Sequence, residues 1–147
     1  MKRLFLMLAC VLVCCGMSAQ YQAKYISSDG DLVKMRCVGY AKKAKDAVVD
    51  AELSAVNTVL FHGVSGAPRF SSPLISVPER DAVHDNKKYF NDFYDGGYRR
   101  FVVSSEMLTK LKKDASKRKS MTVDVTVNVR ALREDLEKNG VIRKFGL

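Results

Sequence analysis

The side chains able to do chemistry are few. The chain holds two histidines, His62 and His84, four cysteines and no tryptophan. A structural zinc site takes about four Cys or His ligands. His62, His84 and Asp85 would make only an adventitious metal site, and their spacing matches no zinc motif. Gly63-Val64-Ser65-Gly66 resembles a nucleophile elbow superficially. The elbow needs a residue between the serine and the second glycine, with a strand before it and a helix after it. Here that residue is missing, and the segment follows a helical pattern. A Ser-His-Asp triad would have to draw on Ser65, His62 or His84, and Asp81 or Asp85. Neither a Gly-Lys-Ser/Thr phosphate loop nor a Gly-x-Gly-x-x-Gly turn occurs. The chain therefore reads as a non-enzyme with no catalytic residues, no cofactor and no metal.

The N-terminus predicts compartment. Met1-Lys2-Arg3 is followed by an apolar run, Leu4 to Cys15, and by Gly16-Met17-Ser18-Ala19. A cationic start, a short apolar core and a small closing residue read as a secretory signal peptide over 1–19. The run is too short for a bilayer span, which takes roughly 20 apolar residues. Cleavage after Ala19 would leave one domain, 20–147, exported to the periplasm or associated with the outer membrane. Lipidation of a signal cysteine is the competing reading. It fits less well, because Cys10 follows only six apolar residues and Cys15 follows Cys14 rather than a small residue. Cys37 alone would remain. It alternates with Val33 and Met35, so it reads as a small buried hydrophobe rather than a reactive thiol.

Two surface features point to partners. Without Lys2 and Arg3 the formal charge falls from +9 to +7, still clearly basic. Such a surplus favours anionic partners, and export argues against nucleic acid. Lys110 and Lys112, Lys113, Lys117, Arg118 and Lys119 form the densest basic run. The last five are candidate contacts for an anionic membrane surface. The alternative is a solvated turn whose charges discourage edge pairing. Tyr89, Phe90, Phe93, Tyr94 and Tyr98 form an aromatic stretch around Gly96-Gly97. Some must be core. Tyr94, Tyr98, Arg99 and Arg100 are candidate partner contacts, since aromatics and arginine dominate binding energy.

The elements that position these residues follow from periodicity. Residues 20–30 read as a lead-in closed by the Asp29-Gly30 turn. Residues 32–40 alternate as a strand, with Gly39 marking a bend or a close approach. Ala44, Ala47, Val48, Ala51, Ala55 and Val59 recur at helical spacing and predict a helix over 41–61, capped by Gly63. All three prolines, Pro68, Pro73 and Pro78, fall within 64–88, predicting a long irregular loop in which Leu74–Val77 pairs with a sheet edge. A short aromatic helix is predicted over 86–95, and a strand over 98–111. Met121, Val123, Val125, Val127, Val129 and Ala131 alternate with polar residues, the pattern of a strand with one wet face. Leu132 to Lys138 suits a short helix, after which Val141, Ile142 and Phe145 dock the tail. The predicted fold is α+β: a two-layer sandwich, an antiparallel sheet of three to four strands on one alanine-rich helix plus short helices.

Three of these pieces together resemble a known arrangement: Val38-Gly39-Tyr40, the helix with Ala47, Ala51 and Ala55, and the strand Met121 to Val129. Their order, over roughly residues 32–131, resembles the N-terminal domain of the flagellar assembly protein T family and related small envelope lipoproteins. It is also similar to uncharacterised exported proteins of Gram-negative bacteria. The resemblance implies a non-catalytic, protein-binding module of the cell envelope, and it brings no site residues with it. The alternative function is a small-molecule or lipid binder with a pocket between helix and sheet.

Overall fold

The computed structural model describes residues 23–144. The leader predicted over 1–19, the cysteines there and the predicted docking of Phe145 lie outside the described residues. Five strands form one antiparallel sheet: β1 (Ala23–Asp29), β2 (Leu32–Tyr40), β3 (Val102–Met107), β4 (Lys112–Lys113) and β5 (Lys119–Asn128). The order is β1-β2-β5-β3, and β4 also pairs with β5. Four helices accompany it: α1 (Ala44–Asn57), α2 (Glu79–Asp85), α3 (Lys87–Tyr94) and α4 (Val129–Lys138). The fold is the α+β sandwich that the patterning predicts, with more strands than the three to four expected.

The alternation of β2 and β5 sets the register. Val33 lies opposite Val127, Met35 opposite Val125 and Cys37 opposite Val123. All six are 0 % exposed. Full burial of such a side chain contributes about 1.5–3 kcal/mol, so a one-residue slip would be prohibitive. α1 lies on this face through Ala47, Ala51 and Ala55, also 0 % exposed. Gly39 fixes how near it comes: a Cβ there would overlap the Ala47 carbonyl oxygen and crowd the Ala51 amide. Helix backbone thus rests on strand backbone, leaving no room for a ligand between α1 and β2.

Several boundaries differ from the sequence reading, each for a local reason. The lead-in is the strand β1, paired with β2 through the turn at Gly30 (φ 56°). α1 begins at Ala44 and passes into a wider π-helical turn, Thr58–His62, before Gly63 at φ 76° stops it. The carbonyls of Val59 and Leu60 accept from the amides of Leu74 and Ile75 at 3.1 and 2.9 Å. So this piece of the 64–88 loop satisfies a helix end rather than a sheet edge. The same loop contains α2, which begins just after Pro78 where a missing amide costs nothing. The strand predicted from 98 begins at Val102, after a 3-10 turn over Gly97–Phe101. β5 stops at Asn128, whose Oδ1 accepts from the Ala131 amide at 3.0 Å and caps α4.

Candidate functional site

The residues of the candidate catalytic loop, His62, Ser65, Asp81, His84 and Asp85, all lie at the surface. His84 Nδ1 lies 3.2 Å from Asp85 Oδ1, a contact between sequence neighbours at the surface. His62 and Ser65 are exposed. Among the described residues, no group of three His, Cys, Asp or Glu side chains is placed to hold a metal ion. Cys37 is the one free cysteine among the described residues. Burial pushes its thiol up to about 12, which keeps it protonated and unreactive.

The aromatic stretch is largely core. Phe90 and Phe93 are fully buried by the ring contacts of α3, including Tyr89 edge-on to Phe90 at 5.3 Å and Tyr94 edge-on to Phe93 at 5.5 Å. The exposed-anchor reading of Tyr98 is corrected: it is 1 % exposed, because the 3-10 turn rotates it inward. Its hydroxyl donates to Glu52 Oε2 at 3.1 Å and accepts from Arg99 Nε at 3.3 Å. Tyr94 is half-buried, its hydroxyl donating to Asn57 Oδ1 at 3.1 Å. Burial draws the Tyr98 phenol above its ordinary range. Arg99 and Arg100 are exposed. Arg100 is nonetheless braced: its Nε donates to the Gly97 carbonyl at 3.1 Å and its guanidinium lies 3.5 Å from Asp135. It lines an open polar cleft of about 520 Å³ with Lys87, Lys88, Tyr89, Asp135 and Lys138. Tyr89 donates to Asp135 at 2.9 Å, so the carboxylate inside the cleft is already engaged.

The basic run stands where the sequence suggests, at the end of the β3–β5 hairpin. Lys112, Lys113, Lys117, Arg118 and Lys119 are all exposed. Asp114 holds the turn, accepting from Ser116 Oγ at 2.6 Å and the Arg118 amide at 3.0 Å. These bonds lower its carboxyl below the usual range. Arg118 lies over the Tyr40 ring at 4.5 Å, a cation–π contact. Sequence reasoning missed the neighbours. The Ala41 amide donates to the Lys119 carbonyl at 3.3 Å, and Lys119 Nζ reaches the Lys42 carbonyl at 3.5 Å. Lys42, Lys43 and Lys45, nearly seventy residues away in sequence, therefore join the same end of the sheet, all exposed.

Two further features belong to the sheet. One row crosses it: Lys24, Arg36, Asp124 and Glu106 sit opposite one another from β1 to β3. Arg36 grips Asp124 with two bonds of 2.8 and 3.0 Å, and Lys34 reaches over β5 to Glu106 at 2.9 Å. Asp124 is 4 % exposed on an otherwise wet face, and the Arg36 bonds hold its carboxyl below the ordinary range. The second feature is β3 itself. Among the described residues six large apolar side chains are exposed, and Val103, Met107 and Leu108 are three of them. All three lie on or next to one edge strand, with Val103 at a bulge between Val102 and Ser104. Among the described residues no helix is long and apolar enough to cross a membrane. Comparison with family models, curated proteins and solved structures finds no match to this chain.

Proposed function

We propose that the chain is a non-catalytic, exported protein-interaction module of the cell envelope, periplasmic or outer-membrane-associated, and that edge strand β3 is its partner-binding element. The observation that carries this reading is the exposure of Val103 and Met107 on a strand with one unpaired side. An edge strand presents free amides and carbonyls to a second extended segment. Val103 and Met107 would supply contact area beside those backbone bonds. The leader sequence supports export, and the resemblance to the N-terminal domain of the flagellar assembly protein T family supports an envelope setting.

The test places a photo-crosslinking residue at Val103 or Met107 in cells, with Val77, another exposed apolar residue, as reference. The expected result is one discrete adduct of defined mass at Val103 and Met107, lost when the other of the two is changed to lysine. The same adduct pattern at Val77, or none at β3, would overturn the reading. An adduct of twice the chain mass would identify the partner as a second copy.

A further inference from the structure

We infer that the end of the sheet where 42–46 meets 110–119 is a docking surface for a bilayer rich in anionic phosphate headgroups. The charge arithmetic points there. Of 25 basic and 16 acidic residues, these two segments hold nine and two, a surplus of seven. Lys2 and Arg3 apart, the remaining 14 basic and 14 acidic residues cancel. The excess charge is thus a pole, not a general coating. The two segments are separate in sequence, and backbone pairing between Ala41 and Lys119 joins them.

All nine basic side chains are exposed. Of the two acids, Asp114 is folded back into its own turn by Ser116 and Arg118, which leaves Asp46 as the acid facing outward. A pole of this sign attracts an anionic surface over about a Debye length, near 8 Å at physiological salt. An exposed apolar residue lies beside it: Leu108 is 45 % exposed, two residues before Lys110, and its amide donates to the Thr122 carbonyl. A basic surface with an exposed leucine next to it suits a headgroup layer over an acyl boundary. A single-stranded nucleic acid would instead need an uncovered aromatic face on which to stack. Tyr40 is the aromatic of this end, and the Arg118 guanidinium already covers its ring. The preference for lipid over nucleic acid also rests on the exported setting proposed above. The β3 partner reading is independent, because it is tested in cells while this surface is tested with purified protein.

The test is co-sedimentation of the protein, recovered after export, with phosphatidylcholine vesicles with or without phosphatidylglycerol. Binding to the anionic vesicles is expected to be at least about tenfold tighter and to fall with added salt. Two triple variants, Lys42→Glu/Lys43→Glu/Lys45→Glu and Lys112→Glu/Lys117→Glu/Lys119→Glu, should each lose about tenfold or more. The same change in net charge elsewhere, Lys87→Glu/Lys88→Glu/Lys138→Glu, should cost less than about twofold if the pole is what binds. Circular dichroism checks each fold, and lysine-to-glutamine versions replace any glutamate variant that fails to fold. Equal binding to both vesicle types would overturn the inference. So would an equal loss in the third variant, or displacement from vesicles by a single-stranded oligonucleotide at matched phosphate concentration.

Discussion

The two faces of the β2–β5 pair share one backbone and differ in how they are held. On the inner face Val33, Met35, Cys37, Val123, Val125 and Val127 are sealed under α1. On the outer face the same strands carry Lys34, Arg36, Asp124 and Thr126: Arg36 pairs with Asp124 between β2 and β5, Lys34 pairs with Glu106 of β3, and Thr126 shares a hydrogen bond with Ser104 of β3. The inner face is specified by volume: interiors pack at the density of organic crystals, so one methyl group is felt. The outer face is specified by charge, and solvent reaches at least one partner of each ion pair and weakens it. The fold therefore depends on one face, while the other face, its edge and its basic end stay free to carry contacts.

The largest effect expected from this contrast concerns Cys37. In the native protein its modification by a thiol reagent at pH 8, read on the Cys37 peptide, should be slower than in urea by about 10³-fold or more, since reaction requires opening of a core worth at least about 5 kcal/mol. Rapid labelling without unfolding would break the inner-face description. Next is Gly39→Ala, where the new Cβ meets helix backbone that has no rotamer to give. Loss of about 3 kcal/mol is expected, the upper part of the overpacking range, read by urea denaturation. A wild-type midpoint would mean that α1 does not rest on β2.

The outer face should respond more mildly and with pH. Asp124→Asn removes an ion pair whose arginine side chain is 44 % exposed, so a loss of about 1 kcal/mol is expected at neutral pH. The sign follows from the depressed carboxyl. Asp124 stabilises the fold fully above its unfolded value near about pH 3.9, and the contribution is lost as pH falls through its lower folded value. The two proteins should converge in stability as pH drops below about 4. A constant gap would assign the effect to packing instead of charge. The smallest effect lies in the basic turn. Lys117 occupies φ 63°, where glycine is at ease, so Lys117→Gly should stabilise by about 0.5–1 kcal/mol. Destabilisation would show that the lysine stem contributes packing.

The inner face was legible because its pattern is local. Alternation at 121–127 and the alanine period at 47–55 each follow from one segment facing one core, and Gly39 announced a close approach. What was hidden depends on contacts between distant segments. Tyr98 looked like a surface aromatic because its sequence neighbours are arginines, and only the 3-10 turn over Gly97–Phe101 buries it. No local pattern links Lys42 and Lys43 to the distal basic run; the Ala41–Lys119 bond does. The exposure of Met107 and Leu108 could not be read from a strand pattern, because alternation marks faces and says nothing about which strand lies at the edge. Strand β1 was missed because its exposed residues, Ile26 to Asp29, lack a clear alternation, and a bulge between Tyr25 and Ser27 breaks the period.

The folding core and the charged pole are expected to be energetically separate. The decisive measurement is urea denaturation of a chain with Lys42, Lys43, Lys112, Lys117 and Lys119 all changed to glutamine. A single transition of unchanged slope is expected, with stability within about 1 kcal/mol of wild type or slightly above it as like charges are removed. A loss of about 3 kcal/mol, matching Gly39→Ala, would contradict that separation, because the pole would then be part of what holds the fold together.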